Sequence, residues 1–237
     1  MNKFYKCLYF LLSKYFRLLY RIKVDGLANE PQDGALLICA NHTSFRDILV
    51  LAVTLRHHQI RFCAKAELFK IPILRHLFRA LGAFPLHRGQ ADVAAIKGAI
   101  GMLEAGESVG IFPQGTRHAG EVPTVDQFRN GVGMIACRAK ADVLPMLIYN
   151  KGMRVRPFRR TYVRIGEVIS CADFGFVNGG KTEYTAAAAK IAAHICALHP
   201  DAPALAAPET VPSPETAPDT ADVPVPAPET ATEEREG

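Results

Sequence analysis

"ALLICANHTSFRD" (Ala35–Asp47) sets six consecutive apolar residues before Asn41, followed by a histidine and an aspartate five positions apart. A short unbroken apolar run bounded by polar residues reads as a strand buried on both faces. Ser44 is a good N-cap, and Asp47 three residues on makes a carboxylate version of the capping box. "SFRDILVLAVTL" therefore reads as a helix, with Asp47 also favouring the positive end of its dipole. That reading accounts for Ser44 and Asp47 and gives His42 no task. The other reading makes His42 a base at a strand exit, with Asp47 accepting the second imidazole N–H. The local pattern allows both.

The same alternation continues along the chain. "IRFCA", "AFPLHR", "SVGIFP", "VLPMLIYN" and "YVRIGEVI" read as strands. "IPILRHLFRALG" reads as a helix closed by Gly82. "ADVAAIKGAIGMLEAG" reads as one with a stripe of Val93, Ile96, Ile100 and Leu103 and a stop at Gly106. "GVGMIACRAK" and "KTEYTAAAAKIAAHICALH" are the remaining helices. The pattern predicts an α/β fold: one layered domain, residues 23–200, with a central mixed sheet flanked by helices.

Charge is distributed unevenly. From Asp201 to Gly237 there are nine acidic residues and one basic residue, Arg235, a net of −8. Subtracting these from the totals of 23 and 28 leaves a body of 14 acidic and 27 basic residues, a net of +13. A basic body suits an anionic partner such as a membrane surface or a phosphate-bearing substrate. Residues 201–237 hold eight prolines and no aromatic residue, which predicts a disordered acidic tail. The six cysteines show no C-x-x-C spacing, so they read as reduced apolar fillers, with no metal site expected.

Residues 1–22, "MNKFYKCLYFLLSKYFRLLYRI", are too often interrupted by charge for a spanning helix and show no small-residue cleavage site. On a helix, Lys3, Lys6, Ser13, Lys14, Arg17 and Arg21 mark one side. Phe4, Leu8, Leu11, Leu12, Tyr15, Leu18 and Leu19 mark the other. This is the pattern of an amphipathic helix lying in a membrane interface. The expected location is peripheral or monotopic, on the cytoplasmic face of the cell membrane. The competing reading packs the helix on the protein's own core.

Three strand exits carry chemistry: "NHTSFRD", "FPLHRG" and "FPQGTR". In the last, Gly115 allows close backbone approach, Thr116 offers a hydroxyl and Arg117 a bidentate donor for phosphate. Arg88 ends the second. The two arginines predict one anionic pocket if their strands are neighbours. Nothing matches a Walker loop, a G-x-S-x-G elbow or a nucleic-acid-binding motif, so no nucleic acid partner is expected.

These blocks resemble the 1-acylglycerol-3-phosphate acyltransferase family of glycerolipid acyltransferases. "NHTSFRD" is similar to its first block, "LGAFPLHR" to the second, "FPQGTR" to the third and "VLPMLI", with Pro145, to the fourth. "AKAELFKIP" and "FRNGVGMIA" add to the likeness, which runs from about residue 22 to 170 in family order. One departure stands out. The family's third block usually reads Phe-Pro-Glu-Gly-Thr-Arg, and here Gln114 replaces the Glu. An amide keeps the reach but not the charge, which points away from proton transfer at this position.

The resemblance implies transfer of a fatty acyl group from a thioester to the 2-hydroxyl of lysophosphatidic acid, giving phosphatidic acid. The donor is acyl-coenzyme A or acyl carrier protein thioester, and no cofactor is implied. His42 would be the general base and Asp47 its orienting carboxylate. Arg88 and Arg117, with Gly115 and Thr116, would hold the phosphate, Lys65 being a lesser candidate. Asn41 would brace the turn. Rival expectations are the same chemistry on glycerol 3-phosphate, another lysophospholipid or an ornithine-type lipid, or a non-catalytic protein that binds anionic lipid.

Overall fold

The apolar runs of the sequence become the middle of a seven-stranded sheet. The computed structural model describes residues 3–65, 69–80, 82–86 and 91–201. The strands are β1 (Ile22–Asp25), β2 (Leu36–Ala40), β3 (Arg61–Lys65), β4 (Ala83–Leu86), β5 (Val109–Ile111), β6 (Asp142–Tyr149) and β7 (Thr161–Ile165). Their order across the sheet is β1-β7-β6-β2-β5-β3-β4. Neighbours are parallel except β6 and β7, so the sheet is mixed. The last residues of β2, β5 and β6 therefore reach the same edge.

The two-faced burial of β2 is visible residue by residue. Leu36, Ile38 and Ala40 join one core, and Leu37 and Cys39 join the other. β6 repeats the alternation, with Leu144, Met146 and Ile148 on the first side and Val143 and Leu147 on the second. Helices α1 (Lys3–Leu19), α2 (Asp47–Ala52) and α3 (Pro72–Ala80) cover the first face. Helices α4 (Ala91–Glu104), α5 (Gly131–Ala139) and α6 (Lys181–Ala197) cover the second. The result is the α/β architecture expected from the alternation.

Four details differ from expectation. α2 starts at Asp47, not Ser44, and Arg46 occupies its N-cap position. The Asp47 carboxylate does return to the Ser44 N–H, but the Ser44 hydroxyl bonds the N–H of Arg46 instead of closing the box. β1 was not anticipated: Ile22–Asp25 alternates in burial, but over only four residues. Val93 of the predicted stripe is exposed; the inward line of α4 is Ile96, Ala99, Ile100 and Leu103. The acidic tail beyond Asp201 lies outside the described residues.

The fourth difference is in α1. Arg17, expected on the lipid-facing polar side, turns inward. Its Nε and Nη2 donate to the carbonyls of Val53 and Thr54, each at 2.9 Å, and Tyr9 Oη donates to Ala52 O at 2.7 Å. These are the carbonyls left unpaired at the end of α2, and a cation there also opposes the helix dipole. Phe16 and Tyr20 are buried in the first core. Phe10, Leu11, Tyr15 and Leu18 remain exposed along the opposite side of the helix. α1 thus both packs on the core and keeps an apolar stripe outside. No helix among the described residues is long and apolar enough to cross a membrane.

Glu30 fastens the loop that precedes β3. Its buried carboxylate accepts the backbone N–H groups of Arg56 (2.8 Å), His57 (2.7 Å) and His58 (3.1 Å), and its Oε1 lies 3.2 Å from the His58 ring nitrogen Nδ1. Burial pushes the carboxyl up, but the Arg56, His57 and His58 donors together outweigh it and hold the group below its usual 4.5. A depressed carboxyl stabilises the fold above the unfolded value, and that contribution is lost as pH falls through the folded one. Glu30→Gln should therefore cost about 1–3 kcal/mol at neutral pH by denaturant titration. The variant should also lose less stability than the native chain as pH drops below 4.5.

Candidate active site

The turn after β2 is built by side chains acting as extra backbone. Asn41 Nδ2 donates to Ile148 O at 2.9 Å, and Asn41 Oδ1 accepts the Ile148 N–H at 2.7 Å. The amide thereby continues the β2–β6 ladder for one more step. His42 comes next, at the sheet edge, with its Nδ1 3.0 Å from Asp47 Oδ2. A carboxylate can only accept here, so the contact assigns the ring proton to Nδ1 and leaves Nε2 with its lone pair. Asp47 is 0% exposed. Its Oδ2 also accepts the N–H of Thr43 (2.6 Å) and Ser44 (2.7 Å), and its Oδ1 the hydroxyl of Thr43 (3.3 Å). Four donors compensate for removing the charge from water. One carboxylate thus performs both tasks that the sequence had set against each other.

The "FPQGTR" loop leaves β5, which pairs with β2, so it arrives beside His42. It grips the histidine backbone on both sides. Gln114 Oε1 accepts the His42 N–H at 2.6 Å, and the His118 N–H donates to His42 O at 2.8 Å. Gln114 is 2% exposed, and its Nε2 donates to Gln127 Oε1 at 2.7 Å. Gln127 in turn donates to Glu121 at 3.2 Å. In this geometry the Gln114 side chain is a strut between two loops, and both of its polar atoms are used. Neither contact calls for a negative charge.

Gly115 adopts φ +70°, and a Cβ on it would press against the Arg129 side chain at 2.8–3.0 Å. Arg129 thus lies across the turn at Gly115, and Arg129, Gly115, Thr116 and Arg117 are all exposed. The sequence reading missed Arg129, although it stands in "FRNGVGMIA", one of the stretches it had singled out. Phe112 was missed too. Its ring stacks on the His42 imidazole with centroids 4.2 Å apart, fixing the ring plane. Phe62 stacks behind it at 6.4 Å. Phe62 can lie across β5 because its neighbour there is Gly110, where a Cβ would collide with the Phe62 ring.

His42 opens onto an apolar cavity of about 510 Å³ between the sheet and helices α4 and α5. Ile96, Ala99, Val132 and Ile135 supply its wall, and Gly115 and Arg129 lie at its polar side. A base at the rim of a cavity this size has room for a mainly apolar ligand.

Lys65 ends β3, at the same edge, but its side chain lies outside what is described. Arg88 lies outside the described residues altogether. One pocket for Arg88 and Arg117 was conditional on neighbouring strands, and that condition is not met: β3 inserts between β4 and β5. Strand spacing of about 4.8 Å then puts β4 about 10 Å from β5. Pro145 sits inside β6 opposite Cys39, four residues before the strand ends, and its carbonyl accepts the Gly166 N–H. Its place is in the sheet and not at the exit.

Gln114→Ala leaves the His42 N–H without its acceptor and removes the Nε2 donor from Gln127 Oε1. It should destabilise the chain by about 1–3 kcal/mol in urea titration. Gln114→Glu keeps an acceptor for His42 and should cost less than the alanine variant.

The sequence model of the acyltransferase family matches residues 21–149. A 1-acyl-sn-glycerol-3-phosphate acyltransferase of Bacillus subtilis is 32% identical over 155 residues, covering 65% of this chain and 76% of that protein. The enzyme of the same name from Streptococcus pneumoniae is 33% identical over 116 residues, 48% of this chain and 42% of its own length. The crystal structure of the 1-acyl-sn-glycerophosphate acyltransferase PlsC of Thermotoga maritima superposes with a TM-score of 0.58 at 26% identity. It covers 79% of this chain and 78% of that one. With the His42–Asp47 pair, the Gly115 turn and the mixed sheet in place, the chain belongs to the acyltransferase family.

Proposed function

We propose that this chain is a 1-acylglycerol-3-phosphate O-acyltransferase, converting lysophosphatidic acid into phosphatidic acid. The observation that carries the reading is a histidine held by a buried carboxylate at the rim of an apolar cavity. The named relatives support the same acceptor. The donor is a fatty acyl thioester, its chain in the cavity beside Ile96, Val132 and Ile135.

The acceptor's hydroxyl proton passes to His42 Nε2 as the oxygen attacks the thioester carbonyl carbon. Asp47 holds the Nδ1–H and stabilises the imidazolium that forms. Collapse of the tetrahedral species breaks the C–S bond, and the departing thiolate takes the proton back from His42. A thioester is already activated, so positioning and a general base account for the reaction without a covalent intermediate. The phosphomonoester of the acceptor meets Arg117 and Arg129, with the Thr116 hydroxyl and the Gly115 turn between them. The exposed side of α1 rests on the cytoplasmic face of the membrane, where the acceptor lies. Arg117 and Arg129 set the acceptor apart from lipids without a phosphate.

Purified protein given lysophosphatidate and either acyl-coenzyme A or acyl carrier protein thioester tests the assignment. His42→Ala should lower kcat about 10²- to 10⁴-fold with an unchanged circular-dichroism spectrum. Native-like turnover in that variant would remove His42 as the base. Arg117→Ala should raise KM for lysophosphatidate, with the KM for the donor nearly constant. A change confined to donor kinetics would overturn the phosphate assignment.

A further inference from the structure

The segment between β6 and β7, "NKGMRVRPFRR" (Asn150–Arg160), has no part in the chemistry above. It holds five cations and no acid in eleven residues. Lys151, Arg154, Arg156, Arg159 and Arg160, joined by Arg21 from the end of α1, line an open cleft of about 670 Å³. Among the described residues no carboxylate forms a salt bridge with any of the six. β6 runs parallel to β2, so this segment leaves the sheet at the edge that carries His42.

The segment is firmly built. Val155 and Met153 are buried, and Asn150 Oδ1 accepts the N–H groups of Gly152 and Arg154, each at 3.0 Å. The Gly120 N–H donates to Met153 O at 3.1 Å, tying the segment to the loop that grips His42. The Phe158 N–H donates to Leu19 O at 2.7 Å, tying it to α1. Phe158 has φ +61°, a conformation that costs energy for any residue with a Cβ. Yet its ring is 76% exposed, and Leu18, next to its hydrogen-bond partner, is 79% exposed. Backbone strain spent on displaying an aromatic ring amid uncompensated cations needs a partner that rewards both features.

We infer that this cleft and the Phe158 tip dock the protein onto the anionic phospholipid leaflet. The arginines take lipid phosphates, and Phe158 enters the acyl boundary beside Leu18. Charge complementarity favours this occupant, as does continuity with the exposed α1 stripe of Phe10, Leu11, Tyr15 and Leu18. The inference rests on the reading of the acceptor as a membrane lipid. It turns the His42 edge of the sheet toward the lipid surface.

The full chain can be floated with phosphatidylcholine vesicles, with and without phosphatidylglycerol. Arg154→Gln/Arg156→Gln/Arg159→Gln/Arg160→Gln should weaken binding to the anionic vesicles about 10³-fold. The matching quadruple lysine variant should bind as the native chain does, which separates charge from folding. Phe158→Gly relieves the positive φ, so it should fold at least as well, and should bind vesicles about tenfold more weakly. Turnover of a soluble short-chain acceptor should be unchanged in all three. Native-like flotation of the glutamine variant would overturn the proposal. So would normal flotation with a raised KM for acyl carrier protein thioester alone, which would mark the cleft as a carrier-protein dock. Flotation does not depend on catalysis, so a failed acyl-transfer assay would leave this result standing and strike only the assigned reaction.

Discussion

The Asp47 carboxylate is the point on which the site depends. It closes the turn after β2 by taking two backbone N–H groups, begins α2, and fixes the imidazole of His42. Placing a charge at 0% exposure is unfavourable unless every lone pair finds a donor, and the turn supplies those donors from Thr43, Ser44 and His42. The five-residue spacing follows from this geometry. With fewer residues the carboxylate could not come back under the turn. With more, it would leave the first turn of the helix.

Around that carboxylate the neighbouring strands complete a frame. Asn41 stitches the exit to β6, and Gln114 and His118 stitch it to the loop after β5. The substitution of Gln for the usual Glu is intelligible in these terms. The residue's work is to accept one N–H and reach one neighbour, and Gln127 presents the oxygen that an amide can use. On the function proposed above, proton transfer falls to the His–Asp pair, and Gln114 keeps a purely positioning role.

The sequence made the central strands legible because β2 and β6 must be apolar on both faces. It made His42 and Asp47 legible because a strand exit followed by a helix start is a short, local event. Features set by tertiary pairing were hidden. Nothing local says that β3 slips between β5 and β4, so the sequence left open whether the two arginine-bearing strands are neighbours. Nothing in "IKVD" says that it pairs with β7. Arg129 returns to the site sixteen positions after Pro113, and Phe112 matters only because β5 lies beside β2. Arg17 follows the polar side of its helix, and only the docking of α1 reveals that α2 ends beneath it.

That last contact changes what the N-terminal helix is for. Tyr9 and Arg17 hold the far end of the same short helix whose first residue is Asp47. Six residues are too few for a helix to persist by itself in water, so its order is borrowed from its supports. A chain trimmed of α1 would lose more than a foothold. It would keep every group that touches substrate while the segment presenting the carboxylate frayed from behind. The N-terminal helix and the His42–Asp47 pair are thus two ends of one lever.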